Sequence, residues 1–362
     1  MSDKYDIAVI GSGAAGIAAA VTAARTGRST LLLDKNPAPG GTGGFSGLTT
    51  LCGLYDEYGK FVDQGFAREF AEAISEAPPF KMGRVWVLTY RPKKFLEATR
   101  SFLVQTDNLK MIWNTPLKDV TVRDHRIDSL NDFKIGAVID CTGTADVAAD
   151  VGAECLETDA ATQAPAVVFA LRNVTRDVST PAATAQILLP LARAGFPSLN
   201  FHTNLEPDTL TVKFTGAPEQ VPSLIAFLKE NVPGFANCSP ESDKFSISRR
   251  AGRMIVGEHV LTGAEVLSGT KFPDAVARCA WPVEQWNAAG HTRLRYLPTG
   301  AHYEIPARSL RAAKIKNLFM AGKTISADVD AIASARVMGC CLATGAAAGK
   351  LAADYLDSVS RT

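Results

Sequence analysis

Residues 5–10 (YDIAVI) form a short apolar run, and residues 14–26 follow as an alanine-rich stretch with no charged position before Arg25. The first has the length of a buried strand and the second that of a helix, stopped by Gly27; a further apolar run ends at Asp34, so the pattern predicts strand, helix, strand. Residues 62–77 are polar with helical spacing, whereas residues 78–92 (PPFKMGRVWVLTYRP) alternate as strands do. A helix is expected at 94–105, a strand at 110–114, and a strand pair at 115–124 and 126–130 leading into 137–139. From residue 156 to about 290 the character changes: strands at 167–171 and 209–214 mix with helices at 184–193 and 220–230. The chain then returns to an apolar strand, 317–321, and a long helix of small residues, 337–355, able to pack closely on a sheet.

Between the first strand and helix stand Gly11, Gly13 and Gly16 in the spacing G-x-G-x-x-G. In a dinucleotide-binding unit the first glycine makes the tight turn, the second lets a pyrophosphate approach the backbone, and the third lets helix and strand touch. The helix N-terminus adds free N–H groups and the positive end of a dipole. Asp34 follows at about the spacing, roughly 20 residues, of the carboxylate that binds an adenosine ribose. A cluster of glycines from Gly40 to Gly47 then suggests backbone lying against something flat or phosphate-bearing. The expected fold class is therefore α/β, with a Rossmann-like nucleotide domain (parallel sheet with helices) made of residues 1–50, 92–155 and 295–362. It is interrupted by an α+β substrate or cap domain made of 51–91 and 156–294.

Bulk properties narrow the function classes. With 46% hydrophobic and 21% charged residues and a net charge of +1, nothing argues for a nucleic-acid or anionic-membrane partner. No apolar run reaches the length of a membrane span. The opening MSDKYDIAVIG leads almost directly into the first strand, so a cytoplasmic location is expected. Seven scattered cysteines without a C-x-x-C pair read as reduced thiols. The histidines (125, 202, 259, 291, 302) show no ligand spacing, so metal catalysis is disfavoured. No G-x-S-x-G elbow supports a hydrolase.

Three further segments join the N-terminal unit in one pattern: VIDCTGTADVAADVGAE (138–154), SRRAGRMIVGEHVLTGAEVLSGTKFPDAVARCAWPVE (248–284), and YEIPARSLRAAKIKNLFMAGKTISADVDAIASARVMGCCLATGAAAGKLAA (303–353). Together they resemble the FAD-dependent oxidoreductase family of the glutathione-reductase-like flavoproteins, nearest the branch that shares its nucleotide fold with fumarate reductase and succinate dehydrogenase flavoproteins. The resemblance implies that Gly11, Gly13, Ala14, Ala15 and Gly16 hold the FAD pyrophosphate and that Asp34, with Lys35, holds the adenosine ribose. It implies that Gly41, Thr42 and Gly43 pass beneath the flavin and that Thr142 and Gly143 make the second nucleotide contact. Ala321 and Gly322 match the C-terminal flavin motif. Val337 and Met338 would start a helix aimed at the pyrimidine carbonyl, where the dipole favours anionic reduced flavin.

There are departures from the family pattern. The histidine often found in the segment PVEQWN (282–287) is missing, and the GGTGG loop carries no residue for covalent flavin attachment, so non-covalent FAD is expected. Cys52, downstream of that loop, is a less favoured attachment point. The chain is short for the family, which implies a trimmed cap or partner-dependent chemistry, in a homo-oligomer or as a component of a larger complex.

For chemistry, Arg250 and Arg253, with Arg249, either orient a substrate carboxylate bidentately or join a salt-bridge network with Glu258 or Asp274. His302 or Tyr303 would assist proton removal beside hydride transfer, a surface position being the alternative for His302. Arg308 and Arg336 fit family positions, with capping or ion pairing as the alternative. Cys340 and Cys341 are either a redox pair or packing residues; adjacent cysteines in a helix are poor disulfide partners. With one dinucleotide fingerprint and no second one for NAD(P)H, electrons are expected to enter from a small-molecule substrate. They would leave to dioxygen, a quinone or a protein. The leading expectation is an FAD-dependent dehydrogenase or oxidase, with a flavin monooxygenase or an electron-relay flavoprotein of a larger complex as alternatives.

Overall fold

The computed structural model describes residues 3–158, 163–178, 180–245, 247–286 and 292–361. Asn287 and His291, named above, lie outside them.

Four strands run parallel in the order Leu109–Ile112, Thr30–Leu33, Lys4–Ile10 and Phe133–Asp140. They are apolar on both faces, because the fingerprint helix Ala14–Arg25 covers one side and a second hydrophobic cluster the other. The strand Phe133–Asp140 changes its outer partner along its length. Its start pairs antiparallel with Arg126–Leu130, which in turn pairs with Val120–Arg123. Its end pairs parallel with Leu318–Met320. Asn317 fills the fork so formed. Its Nδ2 donates to the carbonyls of Ile127 and Gly136 (2.8 and 2.9 Å), and its Oδ1 accepts from the Ile127 N–H (2.8 Å). Fully buried, this one amide satisfies backbone groups that the diverging strands leave without ladder partners.

The long C-terminal helix Met338–Ser360 lies along the fingerprint helix, and small residues make that approach possible. A Cβ on Gly345 would lie 2.1 Å from the Ala15 carbonyl oxygen, and one on Gly349 would lie 2.6 Å from that of Ala19. The first and last helices of the chain therefore pack directly against each other.

The middle of the chain forms a five-stranded antiparallel sheet from Leu199–Thr203, Leu210–Phe214, Ala166–Arg172, Ser239–Pro240 and Ile247–Ser248. One face buries Val167, Leu171, Val212 and Phe214 under the helices Pro181–Arg193 and Val221–Asn231, a core separate from the first. The opposite face carries Val168, Thr211 and Lys213 and turns toward the nucleotide domain, where Thr49 bonds both Asn204 and Thr211. Residues 51–91 were expected with this insertion. They pack in the first core instead: Leu51, Phe66, Phe70, Leu88 and Tyr90 share a cluster with the fingerprint helix, because their apolar stripe is the one that meets it. The helix expected at 62–77 is the shorter Phe66–Ile74, and the glycine cluster is not an extended loop but a helical turn, Gly41–Phe45. Among the described residues no single helix is long and apolar enough to cross a membrane.

Candidate functional site

A cavity of about 340 Å³ lies where the carboxyl ends of the parallel strands meet the inner face of the insertion sheet. Gly11, Gly13, Ala14, Ala15, Asp34, Lys35, Gly41, Thr42, Gly43, Thr142, Gly143, Gly322, Val337 and Met338 all line it. The glycine roles separate cleanly. A Cβ on Gly16 would sit 1.7 Å from the Gly11 carbonyl oxygen, so this position is occupied by packing. A Cβ on Gly13 would meet no protein atom within 4 Å, so its bare backbone faces open cavity at the helix start.

Asp34 is tied into the glycine turn. Its Oδ2 accepts from the Ser12 N–H (2.6 Å) and Ser12 hydroxyl (2.5 Å), and its Oδ1 from the Asn36 N–H and side-chain amide (2.8 Å each). At the end of the neighbouring strand, buried Asp140 accepts from the Thr142 N–H and hydroxyl and from the Val147 N–H. That network shapes the turn Cys141-Thr142-Gly143 beside the cavity.

The other lining residues carry charge. Glu284 is held by two indoles, its Oε2 accepting from Trp281 Nε1 and its Oε1 from Trp286 Nε1, at 3.0 Å each. Burial pushes its carboxyl up, but Arg336, Lys213, the Trp281 bond and Arg250 together hold it below the usual range. Arg250 donates to the Ala164 carbonyl (2.5 Å) and lies 4.1 Å from the centre of a Trp286 ring. Arg336 Nη2 donates to Gln163 Oε1 (3.0 Å), while its buried Nε has no partner among the described residues. Lys213 reaches in from the insertion sheet. Burial lowers the pKa of all three cations, that of Arg250 to about 10. Cys52 and Cys341 also line the cavity as protonated thiols, pushed by burial up to about 11 and about 12.

The residues expected to do chemistry do not all converge here. Arg250 does. Arg253 does not line the cavity: its guanidinium is used on the Thr144 carbonyl and Asp146, rather than on Glu258 or Asp274. Tyr303 is fully buried, shares a hydrogen bond with the Ser334 hydroxyl and does not line the cavity. His302 is half-buried elsewhere on the surface, with burial, Lys271 and Arg278 lowering its pKa. Arg308 pairs with Asp274. Cys340 and Cys341 are free thiols with separate partners, the Gly53 and Arg336 carbonyls. Sequence reasoning missed Lys213, Glu284 and Trp286. The signal for Lys213 lay in the alternation of residues 210–214, whose polar positions read as solvent-facing although a second body covers them.

Comparison with known proteins agrees with the nucleotide-binding fold. The structure resembles a geranylgeranyl bacteriochlorophyll reductase-like protein from Thermoplasma acidophilum, with a TM-score of 0.58 and 13% identity, over 99% of this chain and 80% of that one. An opine oxidase component of Agrobacterium tumefaciens (strain Ach5) is 56% identical over 41 residues, and 3-oxosteroid 1-dehydrogenase of Mycolicibacterium smegmatis (strain ATCC 700084 / mc(2)155) is 52% identical over 44. These matches span 11% and 12% of this chain and 8% of each relative. FAD, the cofactor named by the family model that matches this chain, fits the residues present: a glycine backbone open to the cavity at a helix start and a buried carboxylate beside it. The family model described as FAD dependent oxidoreductase matches residues 6–209 and 195–360. The chain belongs to the FAD-dependent oxidoreductase family.

Proposed function

We propose that this FAD-dependent oxidoreductase is a dehydrogenase or oxidase, and that it takes a hydride from a small organic substrate held between the cofactor and the insertion sheet. One observation carries the reading. The fingerprint residues and the charged cluster on Lys213, Arg250, Glu284 and Arg336 line the same cavity, so cofactor and substrate share one enclosed space. In this reading Gly13 and the helix start at Ala14 and Ala15 hold the pyrophosphate, Asp34 the ribose, and Thr142 and Gly143 the second nucleotide contact. Gly41 to Gly43, Gly322, Val337 and Met338 border the ring end. Bound FAD supplies a two-electron acceptor, which is the difficult chemistry; the protein supplies position and charge. Glu284 stays ionised between its two indoles, and its charge offsets part of that of the neighbouring cations. The cavity thiols remain protonated at neutral pH, which supports non-covalent attachment.

The test is reconstitution with FAD, followed by anaerobic addition of a panel of small organic metabolites. Bleaching of the flavin absorbance by one of them, with the oxidised product identified by mass spectrometry, is the expected outcome. Rapid bleaching by NADPH with an oxygenated product would assign a monooxygenase instead. Re-oxidation by dioxygen, a quinone or a protein then identifies the acceptor.

A further inference from the structure

We infer that Lys213, Arg250 and Arg336 form the binding site for a carboxylate of the substrate, so that the substrate is an organic anion. This rests on the reading above that the cavity holds both cofactor and substrate.

Lys213, Arg250 and Arg336 line the same end of the cavity as the Glu284 carboxylate and act on its charge, and Glu284 already has an indole N–H on each oxygen. Desolvating an uncompensated charge is costly even after the surroundings relax. A fold that gathers two surplus cations in a protein-lined space is therefore poised for an anion. Each cation also keeps a free hydrogen-bonding edge. Arg336 has a buried Nε with no partner, and Lys213 Nζ makes no hydrogen bond among the described residues. Arg250 is fixed on one side by Trp286 and at Nη1 by the Ala164 carbonyl, which orients the rest of its planar fork without consuming it. Planar, oriented guanidinium donors suit a carboxylate, which accepts two parallel N–H bonds. The three cations come from separate stretches of chain: Lys213 from the strand Leu210–Phe214, Arg250 from the segment after Ile247–Ser248, and Arg336 from the residue that closes the short helix Val329–Ala335. The cofactor's phosphates do not need them, because the helix start at Gly13 and Ala14 presents its own donors.

The experiment titrates the FAD-loaded protein with benzoate and succinate, using benzamide and succinamide as uncharged counterparts. The readouts are flavin difference spectra and calorimetry, the latter repeated on FAD-free protein. The acids are expected to bind saturably and the amides at least about tenfold more weakly, the scale of one charged hydrogen-bonded contact. Lys213→Met and Arg250→Met should each weaken acid binding at least about tenfold, Lys213→Arg should restore it, and the FAD dissociation constant should stay within about threefold. Equal binding of acids and amides, or unchanged acid binding in Lys213→Met, would overturn the inference. So would loss of FAD binding in both methionine variants with acid binding intact, which would give the cluster to the cofactor. Failure of the protein to take up FAD while calorimetry still shows acid binding would overturn the functional reading and leave the anion site standing.

Discussion

Gly13 and Gly16 lie three positions apart and answer to different forces. Alanine at position 16 would force a methyl group to 1.7 Å from the Gly11 carbonyl oxygen, and backbone cannot yield as a flexible side chain does. Gly16→Ala is expected to lower stability by about 3 kcal/mol or more, read as a fall in the melting temperature of the FAD-free protein. Gly13→Ala places its methyl in open cavity. It should leave the FAD-free melting temperature unchanged and weaken FAD binding by at least about tenfold in a fluorescence titration. Asp140 offers a pH test at the same scale. Burial pushes its carboxyl up to about 6 against the opposing bonds from Thr142. Between its ordinary value and 6 the folded protein binds a proton that the unfolded chain has released, so this group adds stability as the pH falls through that window. Asp140→Asn removes the gain and also turns an amide donor toward the N–H of either Thr142 or Val147. The gap in melting temperature between wild type and Asp140→Asn should therefore widen from pH 7 to pH 5. A gap that narrows would rule out the raised carboxyl.

At the scale of elements, Asn317 and the glycines of the last helix show how the two ends of the chain are joined. Replacing Asn317 by alanine strands the N–H and carbonyl of Ile127 and the carbonyl of Gly136 in the interior. The expected cost is at least about 3 kcal/mol, with each of the three unsatisfied buried groups costing roughly 1–3 kcal/mol, and equilibrium urea unfolding would measure it. These elements also show what could be read in advance. The apolar run at 5–10, the small-residue helices and the fingerprint spacing are local patterns, so the nucleotide fold was legible, and with it the glycine turn, Asp34, the turn at Thr142 and Gly143 and the start of the last helix as parts of the cavity wall. The fork at Asn317 was not, because it depends on which strand each edge meets. The placement of 51–91 was misread for a similar reason: an amphipathic stripe shows that a segment packs, not on which core. Tyr303 and Arg253 sit in motif-bearing stretches, yet one points into the core and the other onto Asp146, and neither direction is encoded in spacing.

For the molecule as a whole, the cavity wall draws on residues from position 10 to position 341, with the middle contributed by the insertion. A ligand in that wall ties segments far apart in sequence, so FAD should stabilise the whole chain as one unit. At a free concentration of 100 times the dissociation constant the gain is about 2.7 kcal/mol, visible as a single upward-shifted melting transition. Two transitions, with only one moved by FAD, would show that the insertion unfolds independently. Lys213 shows what that architecture permits. Its strand places Leu210, Val212 and Phe214 in the insertion's own core and turns the other way Thr211, which bonds Thr49, and Lys213, which lines the cavity. Folding information and ligand information thus occupy alternate letters of the same five-residue word. Rewriting position 213 should retune which molecule is accepted while both cores and the cofactor's cradle stay as they are, a route to new substrates that does not pass through instability.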